Sequence, residues 1–90
     1  MTLTQLGAYY RYFRDLAGIS RRLNKCDTNA CNGFHSERAA KINETKTARL
    51  LKLAETIAGI MGFTIEHQPD PRGCSLHLIN PKDTNERVAI

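Results

Sequence analysis

Two cysteines and a histidine in the first half of the chain have the residue types of a metal site. Cys26, Cys31 and His35 are separated by four and then three residues. Structural zinc sites hold four thiolate or imidazole ligands in a tetrahedron, usually with cysteines paired two to four residues apart. A fourth ligand would have to come from far along the chain: Cys74, His67 or His77. We favour the simpler interpretation that both cysteines are small apolar residues anchoring a loop, and we predict no metal and no cofactor.

The same residue types raise the question of nucleophilic catalysis. Three cysteines and three histidines allow a Cys–His pair, but no nucleophile elbow, phosphate loop or other catalytic signature surrounds them. His67 and His77 fall on neighbouring strands of a predicted hairpin, where they could face each other, bind a metal or respond to pH. We favour the interpretation that they are partly exposed strand residues. The sequence therefore predicts a protein that is not an enzyme.

Cations cluster on one side of the first predicted helix. At about 100° per residue, five of them fall within a sector of about 100°: Arg11, Arg14, Arg21, Arg22 and Lys25. Such a row binds phosphates without reading base sequence, and nearby Tyr9, Tyr10 and Tyr12 could stack on bases if they face outward. Against this, the second helix shows no matching stripe, and any surface helix has a charged outer face.

The string from Pro69 to Cys74 (PDPRGC) is the most distinctive in the sequence. Asp70-Pro71-Arg72-Gly73 suits a type I turn, with Asp first, Pro second and Gly fourth. The prolines on either side of Asp70 stiffen the backbone. Arg72 would then project from a rigid turn and could bind a carboxylate or a phosphate. Asp70 and Arg72 are therefore candidate binding residues, although the string is equally well explained as a turn.

Two helices are predicted to position these residues. The first spans 3–24, because Thr2-Leu3-Thr4-Gln5 fits a capping box and apolar residues follow at three- and four-residue steps. Residues 24–34 are rich in Asn, Asp, Thr and Gly and are predicted to form a loop. The second helix spans 37–61. Ser36 is its N-cap, and Gly62 ends it as a C′ residue in the left-handed conformation. Whether residues 37–47 belong to it or to a separate short helix is left open.

The last third of the chain changes to a two-residue period, which is typical of half-buried strands. Residues 63–68 and 74–79 alternate in this way, and the Asp70–Gly73 turn joins them as a hairpin. Asn80-Pro81-Lys82-Asp83 predicts a second turn, and residues 87–90 a short third strand. The expected fold is α+β, a single domain over residues 1–90 with two helices followed by a small three-stranded antiparallel β-meander.

Size and charge exclude several classes of protein. Ninety residues suit one domain with a modest core. The longest charge-free apolar stretch, Thr56 to Ile65, is about half the ~20 residues of a membrane span. The start of the chain lacks a signal-peptide layout, and three cysteines is an odd number, so we expect a reduced, cytoplasmic protein. Of the net charge of +4, residues 1–49 carry +5 (nine Lys/Arg, four Asp/Glu) and residues 50–90 carry −1 (four against five).

The C-terminal part resembles a group of small phage and prophage proteins. GFTIEHQPDPRGCSLHLINPKD, followed by ERVAI, is similar to their Q-x-D-P-R-G-C/A-x-L-x-L-I string, which follows a helix and precedes a short strand. The resemblance covers residues 50–90 well, Cys31-Asn32-Gly33 loosely and the first helix hardly at all. This chain departs from the group in its short Pro81–Glu86 connection and its end at Ile90.

The resemblance implies a provenance, and with the sequence features it leads to a functional hypothesis. We expect a non-enzymatic phage or prophage accessory protein that acts in the cytoplasm of a bacterial host cell by binding a host macromolecule. Small phage proteins commonly block or redirect a host protein, including defence machinery, so a host protein is the expected partner. The alternative is a nucleic-acid-binding module that uses the basic face of the first helix. No membrane contact is expected, and a homodimer would follow if a strand edge were left uncovered.

Overall fold

A computed structural model describes residues 2–69 and 76–90 of the chain. Two helices come first, α1 (Leu3–Asn32) and α2 (Glu37–Ile60). Three strands follow, β1 (Thr64–His67), β2 (Leu76–Asn80) and β3 (Asp83–Ala89), in one antiparallel sheet of order β1-β2-β3. The predicted α+β fold, with two helices and a three-stranded meander, is confirmed. The predicted turn at Asp70–Gly73 lies outside the described residues.

Side-chain caps start both helices where the sequence predicts. The Gln5 amide N–H donates to the Thr2 hydroxyl at 3.2 Å, and the Thr2 N–H donates to Gln5 Oε1 at 3.0 Å, which completes the capping box. Ser36 caps α2 by accepting from the Ala39 N–H at 3.2 Å. Residues 37–47, left open by the sequence, belong to α2.

Helix α2 ends in a Schellman motif around Gly62. The Phe63 N–H donates to the Ala58 carbonyl at 2.8 Å, and the Gly62 N–H donates to the Gly59 carbonyl at 3.1 Å. Gly62 has φ of +81°, a conformation that strains residues with a Cβ atom. The end predicted from this glycine is therefore confirmed to within one residue.

Helix α1 continues to Asn32, so the prediction of a loop over residues 24–34 is wrong. One hydrogen bond within the helix and one from α2 satisfy polar groups of this segment. The Thr28 hydroxyl donates back to the Asn24 carbonyl at 2.8 Å, and Asn43 of α2 donates to the Cys26 carbonyl at 3.1 Å. Cys26 itself is buried and continues the inward face of the helix. Packing thus outweighs the weak local preference of this segment.

The core lies between the two helices and one face of the sheet. Its buried members come from α1, from the end of α2 and from β2: Leu16, Ile19, Leu23, Ala54, Ala58, Met61, Leu76 and Leu78. The Ser20 hydroxyl donates to the Ile90 carbonyl at 2.6 Å and ties the end of the meander to α1. The helices therefore rest on β2, the central strand.

Strand register decides which side chains reach the core. Leu78 pairs with Ile65, and Leu76 pairs with His67, on the face that meets the helices. His77 pairs with Glu66 one position along, so it lies on the opposite face. The two histidines cannot face each other, so the structure excludes the pairing that the sequence left possible.

The third strand is longer than the sequence predicts and forms one edge of the sheet. It spans Asp83–Ala89 rather than beginning at residue 87, and all of its residues are exposed. The predicted second turn is confirmed at residues 81–82, where Asn80 pairs with Asp83 and the Asn80 carboxamide oxygen accepts from the Lys82 N–H at 3.0 Å. A register irregularity between Ile79 and Asn80 separates this turn from the regular ladder.

The cap on α2 makes a testable contribution to stability. Replacing Ser36 by alanine is expected to lower the free energy of unfolding by about 1 kcal/mol, because the Ala39 N–H loses its acceptor. Urea unfolding followed by circular dichroism measures this change. Thr45→Ala is the control, since the Thr45 hydroxyl only donates back to the Lys41 carbonyl within the same helix and alanine is the better helix former. A similar loss in both variants would contradict a capping role for Ser36.

Candidate functional site

A groove between α1 and α2 is bordered by cations from both helices. Its central cavity has a volume of about 400 Å³. Charged, amide and apolar residues line it: Arg22, Lys25, Cys26, Asn29, Asn43, Lys46, Arg49 and Leu50. On α1, Lys25 is two residues from Asp27, which contacts the sheet, and so points about 160° away from it. The groove therefore opens on the surface of the helical layer that faces away from the sheet.

Two depressions adjoin this groove: one continues it along the two helices, and the other lies beside it and is lined by residues of α2 alone. One of about 380 Å³ shares Arg22 with the central cavity and adds Arg14, Asp15 and the apolar side chains of Leu53 and Ile57. The other, about 330 Å³, shares Lys46 and Arg49 and adds Lys41. We call the whole surface the basic groove, defined by its six cations: Arg14, Arg22, Lys25, Lys41, Lys46 and Arg49. Asp15 is the single carboxylate among the residues that line these three cavities.

The cations of the basic groove have no carboxylate partner within the described part of the chain. In that part of the chain Glu66 forms an ion pair with Arg87, and Asp27 contacts His67, both at other places in the fold. Lys46 and Arg49 are three residues apart on α2, so their side chains are neighbours, and Arg22 and Lys25 repeat this spacing on α1. The groove thus brings together six cations and one carboxylate, and an anion bound there would relieve the repulsion between the cations.

The floor of the groove holds the two rows of cations in place. Asn43 of α2 donates to the Cys26 carbonyl of α1 beneath the central cavity. Cys26 is 7% exposed, and Leu50 packs against the core, so the floor between the cations is apolar and partly buried. The arrangement can therefore contact an extended anion along two rims and present apolar surface between them.

The structure divides the five cations predicted on the first helix. Arg14, Arg22 and Lys25 line the basic groove, whereas Arg11 and Arg21 are exposed on α1 outside the cavities described. The sequence shows no matching stripe on α2. Nevertheless Lys46 and Arg49 of α2 border the same groove, and Lys41 lines the adjoining depression on α2. Their signal is visible only once α2 is placed antiparallel beside α1, which no local pattern specifies.

A second polar cluster joins α1 to the sheet. His67 Nε2 lies 3.1 Å from Asp27 Oδ2, and the two side chains are 11% and 6% exposed. They line a cavity of about 450 Å³ together with Cys26, Phe34 and Leu51. The sequence analysis did not find this pair, because the two residues are 40 positions apart and one lies on a helix and the other on a strand. The pair therefore connects α1 to β1 and has a structural role.

The candidate metal ligands are not brought together. Cys26 and Cys31 are five residues apart on α1, so they point about 140° away from each other. Cys26 is buried and Cys31 is exposed, and His35 lies beyond the end of the helix. Over residues 2–69 and 76–90 no cluster of three or more His, Cys, Asp or Glu side chains could hold a metal ion. Asp70 and Arg72, the other predicted binding residues, lie outside the described residues.

Comparisons of the chain with protein-family models, with curated proteins and with solved structures return no match. Within the described residues, none of the helices combines the length and apolar character that crossing a membrane requires.

Proposed function

We propose that this protein is a non-enzymatic phage or prophage accessory protein that binds a host macromolecule through the basic groove, and that the macromolecule is a nucleic acid. One observation carries the proposal: five cations from two helices border one groove, a sixth lies beside it on α2, and none has a carboxylate partner among the described residues. The resemblance of residues 50–90 to small phage and prophage proteins supports the provenance. Action in the cytoplasm of the host cell belongs to the same proposal.

A nucleic acid is favoured over a host protein because of the form of the surface. Phosphates recur along a nucleic-acid strand, and lysine and arginine bind them without needing a particular base sequence. The basic groove offers cations in repeated neighbouring positions along its length, with apolar side chains such as Leu50, Leu53 and Ile57 between the rims. A binding site for one acidic protein would not need this repetition.

The proposal predicts binding that weakens steeply with salt. If all six cations contact phosphates, the slope of log K against log salt concentration is about −4 for a single strand and about −5 for a duplex. Fluorescence anisotropy with a labelled single strand and the matching duplex, from about 50 to 200 mM salt, measures both affinity and slope. Absence of binding to either oligonucleotide at the lowest salt would refute the nucleic-acid proposal. An acidic host protein captured by the groove in that case would identify the other class of partner.

The role of the groove itself is tested by a matched pair of charge reversals. Arg22→Glu with Lys46→Glu removes one cation from each rim and is expected to weaken binding at least about tenfold. Arg11→Glu with Arg21→Glu makes the same change in net charge on exposed residues of α1 that do not line the groove. This control is expected to retain most of the affinity. Equal losses in the two variants would show that binding follows net charge alone and not the groove.

A further inference from the structure

The N-terminal half of α1 carries large apolar side chains that do not reach the core. Leu3, Leu6, Tyr10 and Phe13 are 88%, 57%, 73% and 36% exposed. The sequence predicts one broad apolar face from Leu6 to Leu23, but the first buried residue of the helix is Leu16. We call these four exposed side chains the apolar seam.

The apolar seam is a distinct face of α1. At 100° per residue it is centred about 110° from the inward side, where Tyr9 and Tyr12 pack against the core. It is also about 100° from the side that carries the cations of the basic groove. The steps between its members are three, four and three residues, which is the a-and-d spacing of two coiled-coil heptads. Such a row matches another helix with the same spacing.

We propose that the apolar seam binds a second copy of this chain. At roughly 200 Å² for a large side chain, the exposed fractions correspond to at most about 500 Å² of apolar surface on each copy. Two copies would bury up to about 1,000 Å², a size typical of weak, reversible protein–protein interfaces. The same heptad spacing is present on both copies by definition, so the seam is complementary to itself.

The two helices pair antiparallel in this dimer. The seam spans about 15 Å along α1, at 1.5 Å per residue, and ends just before the core begins at Leu16. Antiparallel pairing sets Leu3 against Phe13 of the partner subunit and Leu6 against Tyr10 of the partner subunit, with one folded core at each end of the seam. Parallel pairing would instead force the two cores side by side and bring two positive helix N-termini together.

The dimer would carry two basic grooves, and this consequence rests on the proposed function. Two linked sites on one nucleic acid bind more tightly than one, by as much as about 10²–10⁴ where both sites can be reached. The dimer itself does not depend on nucleic acid, because no cation of the basic groove belongs to the seam.

Light scattering coupled to size exclusion tests the dimer at a chain concentration of about 200 µM, since interfaces of this size are weak. The chain of 10.1 kDa is expected to elute with about twice that mass and to dissociate on dilution. Leu6→Gln with Tyr10→Gln is expected to give a folded monomer, with an unchanged circular dichroism spectrum. Ile42→Gln is the matched control, because Ile42 is 48% exposed on α2 away from the seam, and it is expected to remain dimeric. A monomeric wild-type chain, or equal disruption by Ile42→Gln, would overturn the proposal.

Disulfide cross-linking tests the orientation, in a background where Cys31 and Cys74 are replaced by serine. A mixture of Leu6→Cys and Tyr10→Cys chains is expected to form a mixed disulfide faster than either variant alone. Faster linkage of each variant to itself would show a parallel pair. A dimer that fails these tests leaves the groove experiment unaffected, because the monomeric seam variant keeps all six cations and can be titrated with the same oligonucleotides.

Discussion

Replacing Leu78 by alanine is expected to lower the free energy of unfolding by about 2–5 kcal/mol. Leu78 is fully buried in β2, the central strand, and belongs to the cluster that joins the sheet to both helices. The loss combines the transfer of a large side chain with the cavity that remains. A domain of 90 residues has a total stability of only about 5–13 kcal/mol, so this variant should melt far below the wild type.

Chemical denaturation of Leu78→Ala measures the effect, and Ile79→Ala is its control. Ile79 is the next residue of β2, lies on the outer face of the sheet and is half-buried. Its truncation is expected to lower the free energy of unfolding by about 1 kcal/mol or less, because it leaves no cavity in the core. If Ile79→Ala were the more damaging change, the strand register and the assignment of faces would both be wrong.

Replacing His67 by leucine is expected to lower the free energy of unfolding by about 1.5–3 kcal/mol. The Asp27 side chain is 6% exposed, and His67 provides a hydrogen bond to its carboxylate at 3.1 Å. The substitution removes this bond from a carboxylate that water does not readily reach. The missing interaction therefore costs more than an ordinary surface hydrogen bond. The variant should also loosen the contact between β1 and α1, which this pair makes directly.

A double-mutant cycle separates the pair from the general effect of mutation. Combining His67→Leu with Asp27→Leu removes both polar groups, so part of the lost stability should return. The free energies of unfolding of the wild type, the two single variants and the double variant give the coupling energy. Additive losses, with no coupling, would mean that the two side chains do not stabilise each other.

Helix α1 connects the structural and functional proposals, because it presents three different faces. Its inward face packs on α2 and the sheet, a second face contributes three cations to the basic groove, and a third carries the apolar seam. The substitutions at Arg22 and at Leu6 each change one of the two exposed faces and leave the inward face in place. Binding and association can therefore be measured independently on one helix.

Local chemistry is enough to place most of the elements. The capping box at Thr2, the cap at Ser36, the end of α2 at Gly62 and the turn after Asn80 depend on hydrogen bonds and backbone angles within a few residues. Hydrophobic periods of 3.6 and 2 residues then separate the helices from the strands. For this reason the order of elements and the antiparallel meander could be predicted before any tertiary contact was known.

Contacts between distant residues decide the remainder. Residues 24–32 of α1 make tertiary contacts through Cys26 and Asp27, one with Asn43 of α2 and one with His67, which is 40 positions away. The basic groove exists only because α2 lies beside α1, and the strand register alone separates His67 from His77. The apolar pattern of α1 likewise does not show how much of the helix the other elements cover. The exposure of the apolar seam therefore could not be predicted from the sequence. Periodicity specifies which side of an element is apolar, but only the packing of the other elements determines how much of that side is covered.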